Sequence, residues 1–310
     1  VLDLDPGTGH PPEVEVERGS VCDPADVRRA LRGVDRLFHL AGNPNLWAPD
    51  PREFFDVNHG GTRVVLAEAA RVDLERIVCT STESILKGPG APRDPLGESA
   101  RPRLAEMPGP YCRSKYFAQQ AALAAARQGQ RVVVVNPTLP VGPGDRRLTP
   151  PTRMLLDFLN GRAPAYLDCE LNLVDVRDVA AGHLLAAEKG RVGECYILGH
   201  ENLRLRTLLG LLHELTGLPM PRLRVPYPVA LSVAALSELA AILTRRPPRA
   251  SLTGVRLARS PTAFDAGKAV QELGLPQSPI RRALGDAVAW FQAEGLLRRR
   301  PRLVLAGDPA

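Results

Sequence analysis

The chain has 310 residues, enough for one large domain or two closely joined ones with a sizeable core. Its hydrophobic share of 44% is that of a soluble globular protein, and low aromatic content with dispersed arginines argues against a nucleic-acid surface despite the net charge of +6. Five cysteines without a Cys-x-x-Cys pair predict reduced thiols, no metal site and a cytoplasmic location, and the opening residues do not read as a signal peptide.

In chain order, apolar strands are expected at residues 1–4, 13–17, 37–40, 77–79 and 132–135, with helical patterns between them. Such alternation predicts a parallel sheet covered on both faces. The strand at 37–40 runs into Leu40, Ala41, Gly42 and Asn43, small residues that let a flat ligand approach the backbone. The strand at 77–79 runs into the hydroxyl cluster Thr80, Ser81 and Thr82, and the strand at 132–135 breaks into the Pro/Gly-rich NPTLPVGPGD. Parallel sheets place their active-site groups at these carboxyl ends. An ordinary buried strand and its turn is the competing account of each.

The pattern divides the chain into a binding domain at 1–150 and a mainly helical, smaller cap at 151–310, with helices expected at 206–216, 229–243 and 280–294. The run at 228–243 is short for a membrane span and carries Ser232, Ser237 and Glu238, so a buried or amphipathic helix is expected. Any membrane contact would be peripheral, next to Arg245 and Arg246.

The strongest chemical signal is Tyr111 and Lys115 in GPYCRSKYFAQQAALAAARQ. On a helix, positions i and i+4 share a face, so phenol and ammonium can enter one cleft. A nearby cation would lower the phenol's pKa toward the range of a general acid/base. The competing account is a Tyr and a Lys on a solvated face.

Together and in this order, the motifs resemble the extended short-chain dehydrogenase/reductase superfamily, in its NAD-dependent epimerase/dehydratase group. FHLAG resembles the strand beside the cofactor, and NHGGTRVVLAEAA the helix that puts Asn58 under the active site. CTSTES resembles the hydroxyl motif, with Thr82 at the catalytic position, and Tyr111 and Lys115 fall on the family's pair. NLVDVRDVAAGHLLA, with Asn172 and Asp178, resembles the family's substrate-domain segment. LWAPDP, DFLNGRAPAY, GHLLAAEKGRVGECYILGHENL and AVAWFQAEG resemble the hopanoid-associated sugar epimerases, themselves similar to dihydroflavonol 4-reductases.

The resemblance implies a Rossmann-like doubly wound sheet and a Thr82–Tyr111–Lys115 mechanism. Tyr111 would exchange the proton, Lys115 would hold the nicotinamide ribose, and Thr82 would donate to the substrate oxygen. Asp5, Ser20, Leu40, Ala41, Gly42 and Pro137 would join Tyr111 and Lys115 around the cofactor. Asp5 suits both ribose hydroxyls and repels a 2′-phosphate, which favours NAD and leaves NADP second. A turn aspartate in Asp5-Pro6-Gly7 is the competing account. Ser20 stands where the family carries an Asp, and His39 is expected to be a packing residue.

VLDLD aligns with the family's second strand, so the first strand and its Gly-rich turn are expected to be missing. Two half-sheets and weak cofactor binding are expected in consequence. The expected activity is hydride transfer to or from an alcohol or ketone. Alternatives are a nucleotide-sugar epimerase or dehydratase and a catalytically silent cofactor-binding protein. A small-molecule substrate and a possible homodimer complete the expectations.

Overall fold

A computed structural model describes residues 1–5, 7, 10–87, 95–100, 102–259, 263–299 and 301. Pro6, which figures in the sequence reading, lies outside the described residues. The strands are β1 (Leu2–Asp3), β2 (Glu17–Arg18), β3 (Arg36–His39), β4 (Arg76–Thr80), β5 (Val132–Pro137), β6 (Leu139–Val141), β7 (Ala165–Tyr166), β8 (Glu170–Asp175), β9 (Cys195–Leu198), β10 (Glu201–Arg204) and β11 (Leu223–Arg224). The helices are α1 (Pro24–Ala30), α2 (Arg52–Phe54), α3 (Thr62–Ala69), α4 (Pro110–Arg127), α5 (Pro150–Leu159), α6 (Val176–Lys189), α7 (Leu205–Thr216), α8 (Tyr227–Thr244), α9 (Leu252–Arg259) and α10 (Ile280–Ala293).

The main sheet is parallel in the order β3-β4-β5-β9. β5 opens with four consecutive valines because both its faces are covered. Val132 and Val134 pack with Ile77 and Cys79 against Val27 of α1, Val65 of α3 and Ala122 and Ala125 of α4. Val133 and Val135, pointing the other way, pack with Val78 against Val179, Ala186 and Ala187 of α6. This is the Rossmann-like, doubly wound α/β arrangement expected from the sequence. β9 was not anticipated, since a four-residue apolar run cannot be told from helix by its period. It brings a strand from beyond residue 150 into the main sheet.

β1 and β2 form a separate two-stranded parallel sheet. Among the described residues β1 pairs only with β2 and β3 only with β4, so the expected half-sheets are present. The C-terminal cap has its own core: Leu155 and Leu159 of α5, Leu208 and Leu212 of α7, and Leu284, Val288 and Phe291 of α10. These helices lie with a small mixed sheet, β10-β8-β6. α8 departs from expectation. It forms, but it is neither buried nor amphipathic in the usual sense, because its large aliphatic side chains face outward.

Candidate active site

α4 starts where Gly109, at φ +94°, turns the chain and Pro110 occupies the first helical turn. That places Tyr111 in the first turn and Lys115 one turn later. The Tyr111 phenol meets the Thr82 hydroxyl beyond the carboxyl end of β4. Its ring packs edge-on to Phe54, with centroids 6.2 Å apart, and against a cluster containing Ile85, Leu86, Met107, Ile197 and Phe264. Lys115 donates from Nζ to the Thr80 carbonyl at 2.7 Å.

The electrostatics reverse the sequence expectation. Burial holds the phenol of Tyr111 above its ordinary pKa, the bond with Thr82 opposes this, and the charge of Glu83 adds to it. Lys115 is not among the groups that shift Tyr111, because its ammonium is turned to Thr80. Burial lowers Lys115 to about 8, with Cys79 acting in the opposite direction. Tyr111 is therefore held in its protonated, acid form.

Glu83 and Lys87 are site residues that the sequence reading missed. Thr82 donates its hydroxyl proton to Glu83 Oε2 at 2.8 Å, and Ser84 Oγ lies 3.3 Å from the same oxygen. Lys87, itself buried, stands 3.9 Å from Glu83 Oε1 and over the Phe264 ring. Thr82 has one proton: with Tyr111 protonated it goes to Glu83 rather than to a substrate oxygen, and on ionisation it can turn to the phenolate. Glu83 directly follows Thr82 in CTSTES, which was the available signal. Glu83→Gln removes the negative charge that raises Tyr111, so the phenol's pKa falls. For a reduction, which needs protonated Tyr111, the loss of rate with rising pH is expected to begin at lower pH. A pH–rate profile that does not move, or moves upward, would uncouple Glu83 from Tyr111.

In the rest of the hydroxyl cluster, Thr80 is structural. Thr80 Oγ1 lies 2.8 Å from His183 Nε2, while His183 Nδ1 lies 2.8 Å from the Val179 carbonyl, which can only accept. His183 thus donates from Nδ1 and accepts from Thr80. Ser81 Oγ is buried with no hydrogen-bond partner among the described residues. Asn136 of β5 donates to the Thr82 carbonyl at 3.0 Å and to Gln119 of α4 at 2.9 Å. That pair fixes Thr82 relative to the helix carrying Tyr111.

Asn58 lies on a π-helical segment, Phe55–Gly61, between α2 and α3. Its amide accepts from Asn43 N at 2.7 Å and donates to Ser114 Oγ of α4 at 2.9 Å. All of this ties the loop after β3 to α4, so Asn58 is a positioning residue in this geometry. His39 is the packing residue expected. Thr62 donates to the Asn58 carbonyl at 2.6 Å, and His39 Nε2 lies 2.9 Å from the Thr62 hydroxyl.

Burial, assisted by the charge of Lys115, lowers His39 to about 4. The unfolded chain therefore binds its proton first as pH falls. The associated stability is complete above the ordinary value of about 6.5 and is lost as pH falls toward 4. His39→Gln keeps a donor toward Thr62 and removes this titration. Its loss of stability between pH 7 and pH 5 is expected to be smaller than wild type's by about 2 kcal/mol. Urea unfolding at the two pH values measures the difference, and equal losses would contradict it.

Residues 3–199 match the family model described as the NAD dependent epimerase/dehydratase family. The chain belongs to the NAD-dependent epimerase/dehydratase family. It is 36% identical over 287 residues to Sterol demethylase protein B of Methylococcus capsulatus, covering 92% of this chain and 87% of the relative. A Synechocystis sp. protein carrying the provisional name dihydroflavonol 4-reductase is 43% identical over 279 residues, covering 88% of this chain and 80% of that one. Among solved structures, that of gox2253 superposes with a TM-score of 0.80 at 35% identity, over 92% of this chain and 86% of that one. The chain is therefore an extended short-chain dehydrogenase/reductase, an NAD-dependent oxidoreductase or epimerase.

The family's NAD can be tested against the residues present. A side chain at Gly42 would meet Asn58 Oδ1 at 2.9 Å and come within 3.9 Å of Lys115 Nζ, so only the bare backbone leaves space there. Leu40 and Ala41 precede it at the carboxyl end of β3, with Leu40 exposed, and Pro137 closes β5. This side of the sheet fits a nicotinamide cofactor. Asp5 and Ser20 lie apart, with the β1–β2 sheet. Asp5 accepts from Arg147 through its carbonyl at 3.4 Å, and Arg147 pairs with Asp3 at 2.9 Å. Ser20 Oγ accepts from Cys22 N at 3.1 Å in its own turn. Asn172 and Asp178 serve the fold: Asn172 bonds Asn202 at 2.8 Å, and Asp178 accepts from Ser278 N at 2.6 Å.

Proposed function

We propose that the protein is an NAD-dependent reductase or dehydrogenase acting on an alcohol/ketone pair, with Tyr111 as its acid/base. The observation that carries this reading is the half-buried Tyr111 phenol beside Thr82, one helical turn from Lys115, whose ammonium faces Gly42. When bound, NAD supplies or accepts the hydride. The chain's own residues handle the proton and the orientation. In reduction, protonated Tyr111 gives its proton to the developing alkoxide, and in oxidation the phenolate takes it back. Lys115, beside Gly42, would hold the nicotinamide ribose. Thr82, oriented by Glu83 and Asn136, holds the phenol in place, and the apolar wall of Ile85, Met107, Ile197 and Phe264 excludes water.

The reductase names among the relatives support this reading, as does NPTLPVGPGD, whose Pro-Thr-x-x-Val-Gly-Pro form stands where sugar epimerases of the superfamily usually carry an Asn-x-Tyr-Gly-Pro-like segment. Epimerisation of a nucleotide sugar is the second reading. Its support is the structure of PA4631, a nucleoside-diphosphate-sugar epimerase from Pseudomonas aeruginosa, which matches at 25% identity with a TM-score of 0.75. Stoichiometry separates the two. A reductase consumes one NADH for each alcohol formed, whereas product formation without net cofactor change would support the epimerase.

A further inference from the structure

α8 is built inside out. Val229, Val233, Leu236, Leu239, Ile242 and Leu243 are each 50–78% exposed on one side. The buried positions are the small Ala234 and Ala241. The polar residues turn inward: Glu238 accepts from Leu252 N of α9 at 2.7 Å, and Ser237 Oγ accepts from Arg249 N at 2.9 Å. A water-facing helix normally does the reverse. A contiguous aliphatic face of this kind marks an interaction surface, unlike scattered exposed leucines.

Charge identifies the occupant. Arg222 and Arg224 enter the helix, Arg245, Arg246 and Arg249 leave it, and all five are exposed. None forms an ion pair among the described residues. A second copy laid on this face would bring arginines against arginines in either orientation. An anionic lipid leaflet would instead receive the aliphatic side chains below its headgroups and satisfy the cations at both ends.

We propose that α8 docks this protein in the plane of a bilayer surface rich in anionic lipid. Among the described residues α8 is long and apolar enough to cross a membrane. Its polar bonds to α9 and the following loop hold it to the protein body, so it lies flat. The helix is linked to the active site through α9, on its inward side. α9 places Thr253 against Gly109, at the start of the Tyr111 helix, and Leu257 among the apolar neighbours of Tyr111.

The test is flotation of the full chain with vesicles of phosphatidylcholine alone and of phosphatidylcholine with phosphatidylglycerol. Binding to the anionic vesicles is expected to be at least tenfold stronger and to weaken with salt. Arg245→Gln with Arg246→Gln should lower it about fivefold per arginine. Leu236→Glu with Leu243→Glu should lower it by more than tenfold while leaving the thermal midpoint unchanged, since both side chains are exposed. Equal partition of wild type and the Glu variant onto anionic vesicles would overturn the proposal. So would light scattering that shows a lipid-free dimer dissociated by Leu236→Glu with Leu243→Glu, which would assign the face to a second copy.

Discussion

Tyr111→Phe is expected to lower kcat by about 10²–10⁴, the usual contribution of a positioned acid or base. The variant keeps the ring that packs edge-on to Phe54 and loses only the hydroxyl that meets Thr82. Burial disfavours the phenolate, so the wild-type group holds one proton beside an apolar wall. Cofactor affinity should be nearly unchanged, because the ammonium of Lys115 stays on Thr80. Steady-state rates with a cofactor titration separate the two effects. Retained activity would remove Tyr111 from the mechanism.

Lys115→Met should act on both quantities. The ammonium is assigned to the ribose as well as to the Thr80 carbonyl, and a hydrogen bond to a charged group contributes about 1.5–3 kcal/mol. Cofactor affinity is thus expected to fall about tenfold to a hundredfold, together with kcat. The loss should not reflect misfolding. With its folded pKa lowered to about 8, Lys115 costs stability at neutral pH, and the wild type regains that stability as pH rises toward the ordinary value of 10.5. Methionine removes this cost but leaves the Thr80 carbonyl without its donor, so the two changes oppose each other. Calorimetry at pH 7 and pH 9.5 should show wild type gaining on the variant at the higher pH. A variant that binds NAD as well as wild type would contradict the assignment to the ribose.

What was legible in the sequence is what periodicity and order can carry. The valine run of β5 and the Ile77-Val78 run of β4 announced a doubly covered parallel sheet, and the four-residue spacing of Tyr111 and Lys115 announced a shared helical face. The separation of β1–β2 from the main sheet followed from the family resemblance, in which VLDLD aligns with the second strand. β9 was missed because Cys195–Leu198 is too short to have a period. The direction of the Tyr111 shift was missed because sequence gives spacing, not where an ammonium ends: Lys115 reaches Thr80 instead of stabilising a phenolate. Glu83 was hidden by proximity, since the same residue next to Thr82 could equally have faced water. α8 read as a buried or amphipathic helix from composition, whereas its exposure depends on which side meets α9.

Transfer of deuterium from NADH labelled at the transferable position of the dihydronicotinamide ring tests the central claim most directly. Across a panel of ketones, the account predicts one deuterium in each alcohol molecule formed, one NADH consumed for it, and loss of this transfer in Tyr111→Phe. Turnover that inverts a substrate stereocentre with no label in the product and no net loss of NADH would contradict it.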